Sequence, residues 1–339
     1  MVRKWATRLQ PRTLILLYHR VASISSDPQK LCVTPEHFEE HLRILKQSFR
    51  PLTLSQLSHN LWHKQIQNRC VIITFDDGYA DNLYNAKPLL EKYKIPATVF
   101  VVAGQVGKDR EFYWDDLARI LLMTPHLPQS LELDIAGKKW VWDDDTSKNG
   151  KKPNEISQIS EQWDVTMSGN PTPKHQAYRQ LAAILRNENA NIREDVLSEL
   201  AKWAKVERSG RLNQRALTTD ELCELGKNGL VEIGAHTMTH PQLSCLLPET
   251  QMAEIIQSKQ ILEDLLGQSV DSFSYPYGGK GDYTPATTAI IKEAGFTCSC
   301  SNFPGYIYRK TDPFQLPRFL VRDWNGEEFA HYLAEWWGV

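Results

Sequence analysis

The sequence predicts an α/β protein built on a parallel sheet, wound flat or closed into a barrel, and three observations support this. Short apolar runs ending in polar residues or glycine recur at 13–18, 71–75, 98–102, 231–235, 272–275, 297–299 and 316–321, and read as strands. Amphipathic helical patterns lie between most of them, the alternation that produces parallel sheets. The length of 339 residues fits one barrel-type domain with an insertion of roughly a hundred residues better than two equal domains.

Strand 13–18 runs into His19. A helix follows over 35–47, with Thr34 as N-cap and Pro35 at the first helical position, where its missing N–H costs nothing. Strand 71–75 ends in two acids and a glycine, and helical spacing over 80–94 leads to strand 98–102. Segment 104–216 then breaks the rhythm. It contains a helical piece at 113–123, a hairpin of 131–135 with 139–142 turning at Gly137, a polar stretch at 143–153 that reads as a mobile loop, and helices at 174–187 and 193–206. It reads as a mainly helical insertion within one domain covering 1–339. Trp140 and Trp142 suit either sugar stacking or packing, and packing is the commoner role for aromatics at alternate hairpin positions. Helices at 219–227, 248–266 and 285–294 separate the remaining strands, and His331 falls in a final helical pattern.

A composition 41% hydrophobic and 24% charged supports a sizeable core, and a net charge of −2 gives no basic field to recruit nucleic acid. No stretch approaches the ~20 apolar residues of a membrane span. The basic start is followed by an apolar run, Leu14 to Leu17, too short for a signal sequence. The expectation is a cytoplasmic protein with no cleaved leader, with Trp5, Leu9 and the early basic residues available for peripheral membrane contact. Nothing in the sequence fixes an oligomeric state. The six cysteines are scattered, without a C-x-x-C, and Cys298 and Cys300 share a strand face, which suits buried small hydrophobes better than a redox pair.

Chemistry concentrates at strand ends, where ligands of parallel α/β proteins sit. Thr74-Phe75-Asp76-Asp77-Gly78 puts two carboxylates there; alternatively, Asp77 caps a helix starting at Tyr79. His236-Thr-Met-Thr-His240 follows the apolar strand that ends at Ala235. Its imidazoles converge on one ion if the intervening residues make a helical turn, which Pro241 would end; otherwise they are satisfied core histidines. In Phe273-Ser-Tyr-Pro276-Tyr277-Gly278 a strand enters a loop that either presents Tyr277 and a backbone N–H to a developing oxyanion or is a simple turn. With Leu16-Leu17-Tyr18-His19, these motifs end separate strands, the places from which one barrel-top site is assembled.

In these motifs the sequence resembles the polysaccharide deacetylases with the NodB-homology domain, carbohydrate esterase family four, over about 13–102 and 217–324. The resemblance implies a distorted (β/α) barrel of seven strands, and a divalent ion on Asp77, His236 and His240. Zinc is the first choice, with Co2+, Ni2+ or Fe2+ compatible. It also implies Asp76 as general base and removal of N-acetyl or O-acetyl groups from a polysaccharide or glycan-linked sugar. An ion with three protein ligands keeps positions open to polarise a carbonyl, while Asp76 takes the proton of the attacking water.

Three departures from the family pattern stand out. Ser274 and Tyr275 occupy the place of an arginine that contacts the base, and Arg318 in Leu316-Pro-Arg318 is the candidate replacement. The family's late histidine motif is absent. The front strand, ending in His19, resembles circularly permuted members and implies His19 as the general acid. The long insertion leaves the substrate groove undefined; Asp323-Trp324 partly matches a further motif, with Trp324 a candidate wall of the acetyl pocket. Within hydrolases, a deformylase of lipid-linked sugars or an amidohydrolase of small cyclic amides shares these features. A non-haem iron oxygenase also uses two histidines and a carboxylate, but has no need of a second aspartate and is usually all-β. A glycan-binding module would not need Asp76.

Overall fold

The computed structural model describes residues 11–143 and 163–337, which fall into two compact units. Trp5, Leu9 and the polar stretch beyond Asp143 lie outside the described residues.

The first unit comprises Met1–Ser23, Leu31–Gly107 and Leu217–Val339. The path of its main sheet uses β1 (Thr13–Tyr18), β2 (Cys70–Phe75), β3 (Ala97–Val101), β4 (Val231–Ala235), β5 (Ser272–Ser274), β6 (Cys298–Cys300) and β7 (Phe319–Leu320), while the short strand Arg50–Pro51 pairs with the start of β2 and Arg20–Val21 pairs with Cys32–Val33. They pair in parallel in the order β6-β5-β4-β3-β2-β1-β7. Leu316, just before β7, forms a parallel bridge with Cys300 of β6, while β7 pairs with β1. The segment 316–320 therefore joins the two sheet edges, and the sheet is a distorted (β/α) barrel.

Alternation along the strands separates two layers. Leu14, Leu16, Val71, Ile73, Val99, Val231 and Ile233 face outward and pack under the helices Pro35–Ser48, Thr219–Gly226, Pro248–Leu266 and Pro285–Glu293. Ile15, Cys70, Ile72, Phe100, Cys298 and Cys300 face inward. One helix missing from the sequence reading, Leu54–Trp62, sends Leu54, Leu57 and Leu61 into this inner cluster, and its Ser58 hydroxyl and Trp62 indole N–H donate to the Thr297 carbonyl. It plugs the barrel where the strands begin, leaving the C-terminal ends for chemistry. Cys298 and Cys300 are buried free thiols, and burial pushes Cys298 up to about 12.

The helix expected over 80–94 is interrupted. Asn82–Ala86 form a π-helical turn and only Lys87–Tyr93 is α-helical. Pro88 has no N–H to donate to a preceding carbonyl, so the turn widens ahead of it.

The second unit comprises Ile24–Lys30 and Lys108–Ala216. Helices Tyr113–Leu121, Pro173–Leu185 and Ala190–Ala204 pack with the antiparallel hairpin Ser130–Ile135/Lys138–Asp143 around a separate core. Trp142 is buried there with its indole N–H on the Pro128 carbonyl, and the Trp140 indole donates to Gln180. Both indoles thus serve packing within this unit. Among the described residues no helix is long and apolar enough to cross a membrane.

Candidate active site

Strand register assembles the site. Tyr18 of β1 pairs with Phe75 of β2, Val101 of β3 with Ala235 of β4, and Ser274 of β5 with Cys300 of β6. His19, Asp76 and His236 each follow the last residue of a paired strand. The Asp76 amide donates to the Tyr18 carbonyl (3.0 Å) and the His236 amide to the Val101 carbonyl (2.9 Å), so pairing continues into the functional residues.

Two adjacent aspartates in an extended strand would face opposite sides. Asp76 continues the inward series of Ile72 and Thr74, whereas Asp77 is turned by a left-handed backbone, φ 76°, followed by Gly78 at φ 82°. The sequence alternative of Asp77 as a helix cap is therefore corrected: the first helical turn begins only at Asn82. Left-handed geometry recurs at Thr237 (φ 67°), His240 (φ 57°) and Tyr277 (φ 62°). Each such non-glycine residue costs roughly 1–2 kcal/mol, which surrounding contacts must offset. The expected helical turn between His236 and His240 is likewise absent. A bend with two left-handed residues makes the imidazoles converge instead, and the Thr237 hydroxyl closes it by accepting the His240 amide at 3.0 Å. A Cβ at Gly234 would fall 2.4 Å from the Phe100 ring, so glycine is what lets β4 approach β3 below this bend.

Asp77, His236 and His240 are buried, and one donor atom from each lies within 4.8 Å of the others. His240 Nε2 is 3.4 Å and His236 Nε2 3.7 Å from Asp77 Oδ1. The His236 Nδ1–H donates to the Ser274 carbonyl (2.7 Å), which fixes the tautomer with the Nε2 lone pair toward Asp77. Two neutral imidazole nitrogens and one carboxylate oxygen suit a borderline divalent ion, so the donor set fits zinc. Burial holds the His236 pKa down, against the pull of Asp76, which favours the ligand form.

Asp76 is held from the other side of the barrel. The Arg318 guanidinium, 1% exposed, donates to Asp76 Oδ1 (2.8 Å) and Oδ2 (2.7 Å), and also to the hydroxyls of Ser274 (2.8 Å) and Thr74 (3.2 Å) and the Ser301 carbonyl (2.8 Å). Burial alone would raise the Asp76 carboxyl; the charge of Arg318 and its guanidinium hydrogen bonds outweigh this and hold it below its ordinary range. Ser274, which the sequence reading noted only as a missing arginine, completes the clamp by donating to Asp76 Oδ2 (3.3 Å).

His19 lies in the field of Asp76, Arg318, Arg322 and His236; burial lowers its pKa to about 4, and Asp76 offsets this only in part. Its imidazole is neutral near pH 7. Its backbone is set by residues the sequence reading missed. Asn82 Nδ2 donates to the His19 carbonyl (2.9 Å), Asp81 accepts the Val21 amide (3.0 Å) and Arg20 Nε (2.9 Å), and Asn85 Nδ2 donates to the Val21 carbonyl (2.7 Å). All three acceptors and donors sit at the π-helical turn. Their signal was Asp81, Asn82 and Asn85 crowded into the start of a presumed helix, where such residues are poor formers.

The Tyr277 ring packs edge-on against His240, centroids 4.7 Å apart, and Gly278 is required after Pro276, since a Cβ there would fall 2.7 Å from the Asn302 amide nitrogen. Trp324 stacks on Tyr332 of the helix Gly326–Trp337, and its carbonyl accepts from His41; Asp323 accepts from the Thr34 amide and hydroxyl and from His37. His331 is exposed on that helix.

A sequence profile described as "Polysaccharide deacetylase" matches residues 63–127 and 164–299. The chain belongs to the polysaccharide deacetylase family. It is therefore a hydrolase acting on carbon–nitrogen bonds other than peptide bonds, of a family that is metal-dependent in general. Across 333 residues it is 22% identical to YxkH of Bacillus subtilis (strain 168), whose name assigns it to the polysaccharide deacetylases, covering 97% of this chain and 79% of that one. A shorter stretch of 109 residues is 34% identical to a poly-β-1,6-N-acetyl-D-glucosamine N-deacetylase of Staphylococcus aureus, 28% of this chain and 38% of that enzyme. Two solved structures share the fold of this polysaccharide deacetylase: IcaB from Ammonifex degensii (TM-score 0.58, 19% identity, 97% of this chain and 98% of that one) and the Streptococcus pyogenes deacetylase PplD in complex with acetate (0.57, 17%, 95% and 98%).

Proposed function

We propose that this chain removes N-acetyl groups from a polysaccharide of N-acetylglucosamine, using a divalent ion, zinc first, on Asp77, His236 and His240. The observation that carries this reading is the convergence of those three donors beside a second aspartate kept ionised by Arg318. The bound ion would polarise the amide carbonyl and lower the pKa of water. Asp76 accepts the water proton; its two oxygens are engaged by Arg318, which keeps the carboxylate charged and aimed without competing for the proton. The Tyr277 backbone N–H, in the loop of Pro276 and Gly278, is the proposed donor to the oxyanion. Trp324 is the proposed wall for the acetyl methyl group.

The general acid in this reading is His19. Resting neutral, with its pKa held at about 4, it must collect a proton before giving one to the departing amine. Asp76, which takes the proton from water, is the proposed source, and its charge favours the imidazolium. His19→Ala is expected to bind metal as the parent does, to lose about 10²–10⁴ in amide turnover, and to lose much less on esters whose leaving groups need no proton. Parent-level amide turnover, or loss of metal with His19, contradicts the assignment.

The 34% identical stretch shared with the poly-β-1,6-N-acetyl-D-glucosamine N-deacetylase supports β-1,6-linked N-acetylglucosamine as the first substrate to test. Acetate and formate release should be measured across N-acetylglucosamine oligomers, lipid-linked sugars and O-acetylated glycans. Acetate from the N-acetylated oligomers, abolished by a chelator and restored by Zn2+ or Co2+, is the expected result. Release from O-acetylated glycans alone, or formate alone, contradicts the substrate reading. As expected from sequence, we also propose a cytoplasmic site of action; fractionation of native cells tests this.

A further inference from the structure

The bend between His236 and His240 depends on a residue that lies outside every motif named above. Glu254, on the helix Pro248–Leu266, reaches the two residues between the imidazoles: its Oε2 accepts the amides of Met238 and Thr239, both at 2.9 Å, and its Oε1 accepts the Thr239 hydroxyl at 2.7 Å. On the opposite side the amides of Ala103 and Gly104 donate to the carbonyls of Thr237 and Met238, both at 3.0 Å. A Cβ on Gly104 would lie 2.4 Å from the Met238 oxygen, so the two backbones are in close approach. The bend is thus gripped by its carbonyls from one side and by two of its amides from the other, where Glu254 accepts both.

We infer that Glu254 is the positioning residue of the metal site, setting the separation of His236 and His240 by holding the left-handed bend between them. Thr237 and His240 carry backbone conformations disfavoured for non-glycine residues, and an unheld bend relaxes away from them. Relaxation separates the two Nε2 atoms, and loss of the carboxylate removes an acceptor from two partly buried amides. Glu254 acts on the two residues between the imidazoles, so its effect on the ion passes through the loop.

This inference rests on the reading of Asp77, His236 and His240 as metal ligands. It is tested on the full chain, stripped of metal, by competition titration with Zn2+ and by the visible absorption of added Co2+, alongside thermal unfolding of each metal-free protein. Glu254→Ala is expected to weaken Zn2+ about 10- to 100-fold, the usual consequence of losing a partner that orients ligands, and to alter the Co2+ spectrum. Glu254→Gln is expected to restore affinity to within about threefold, since its amide oxygen can take both backbone N–H groups while its NH2 donates to the Thr239 hydroxyl. Unchanged Zn2+ affinity in Glu254→Ala overturns the inference, whatever its unfolding temperature, as does Glu254→Gln as weak as Glu254→Ala. If Glu254→Ala does not fold, Glu254→Asp, which withdraws the carboxylate by one methylene, carries the same expected loss, and parent affinity in it overturns the inference. Failure of the parent chain to bind Zn2+ is a different outcome: it removes the ligand assignment itself.

Discussion

Asp76→Asn is expected to lower turnover on an N-acetylated oligomer by about 10²–10⁴ while leaving metal content unchanged, the range for loss of a general base. The amide retains the carboxylate's shape and can still accept from Arg318, but it cannot take the proton of the attacking water. Asp76 is 4% exposed, so solvent offers no ready replacement base in its position. The variant leaves the buried guanidinium without its counter-charge, so some stability loss accompanies the loss of turnover. Turnover must therefore be measured well below the unfolding temperature of the variant, with metal content determined on the same sample. Parent-level turnover would move the base to another residue.

The second large effect belongs to Arg318. Arg318→Met, close in volume and uncharged, is expected to destabilise the fold by about 3–5 kcal/mol at neutral pH, because it strands a buried carboxylate. The pH dependence follows from the direction of the Asp76 shift. A carboxyl whose folded-state pKa lies below its unfolded value contributes stability above the unfolded pKa and loses it as pH falls through the folded one. In Arg318→Met burial dominates, the carboxyl rises, and that stabilisation becomes a penalty at neutral pH. The acid limb of kcat/KM moves to higher pH for the same reason. Denaturant midpoints from pH 4 to 8, with the matching rate profiles, check both statements. The double variant Arg318→Met/Asp76→Asn should recover much of the lost stability, since removing both charges strands neither. Additive losses in the double variant would show that the pair is not the cause.

The strands were legible because their apolar runs are long relative to their polar boundaries; β1 and β4 have the expected limits, and the helix Pro248–Leu266 matches its spacing end to end. Strand 316–321 shrank to Phe319–Leu320 because Pro317 interrupts pairing, while Leu316 bridges to the other sheet edge. The Leu54–Trp62 helix was missed because its apolar face meets the barrel interior and not the helix layer, and its nine residues are short for periodicity to register. At the site, residue types were legible but backbone conformations were not. Four non-glycine left-handed residues follow from close packing among the strand ends, which no local propensity encodes. Asn82, Ser274 and Glu254 escaped because their roles are hydrogen bonds to distant backbone or to Arg318, and sequence separation hides such partners.

The binding of one divalent ion by Asp77, His236 and His240 is tested by the metal content of the chain after dialysis against Zn2+ and then metal-free buffer, by elemental analysis, in the parent and in His240→Ala. About one equivalent is expected in the parent and a small fraction of that in a folded His240→Ala, because two remaining ligands rarely retain zinc against dialysis. Equal, full occupancy in both proteins would contradict it.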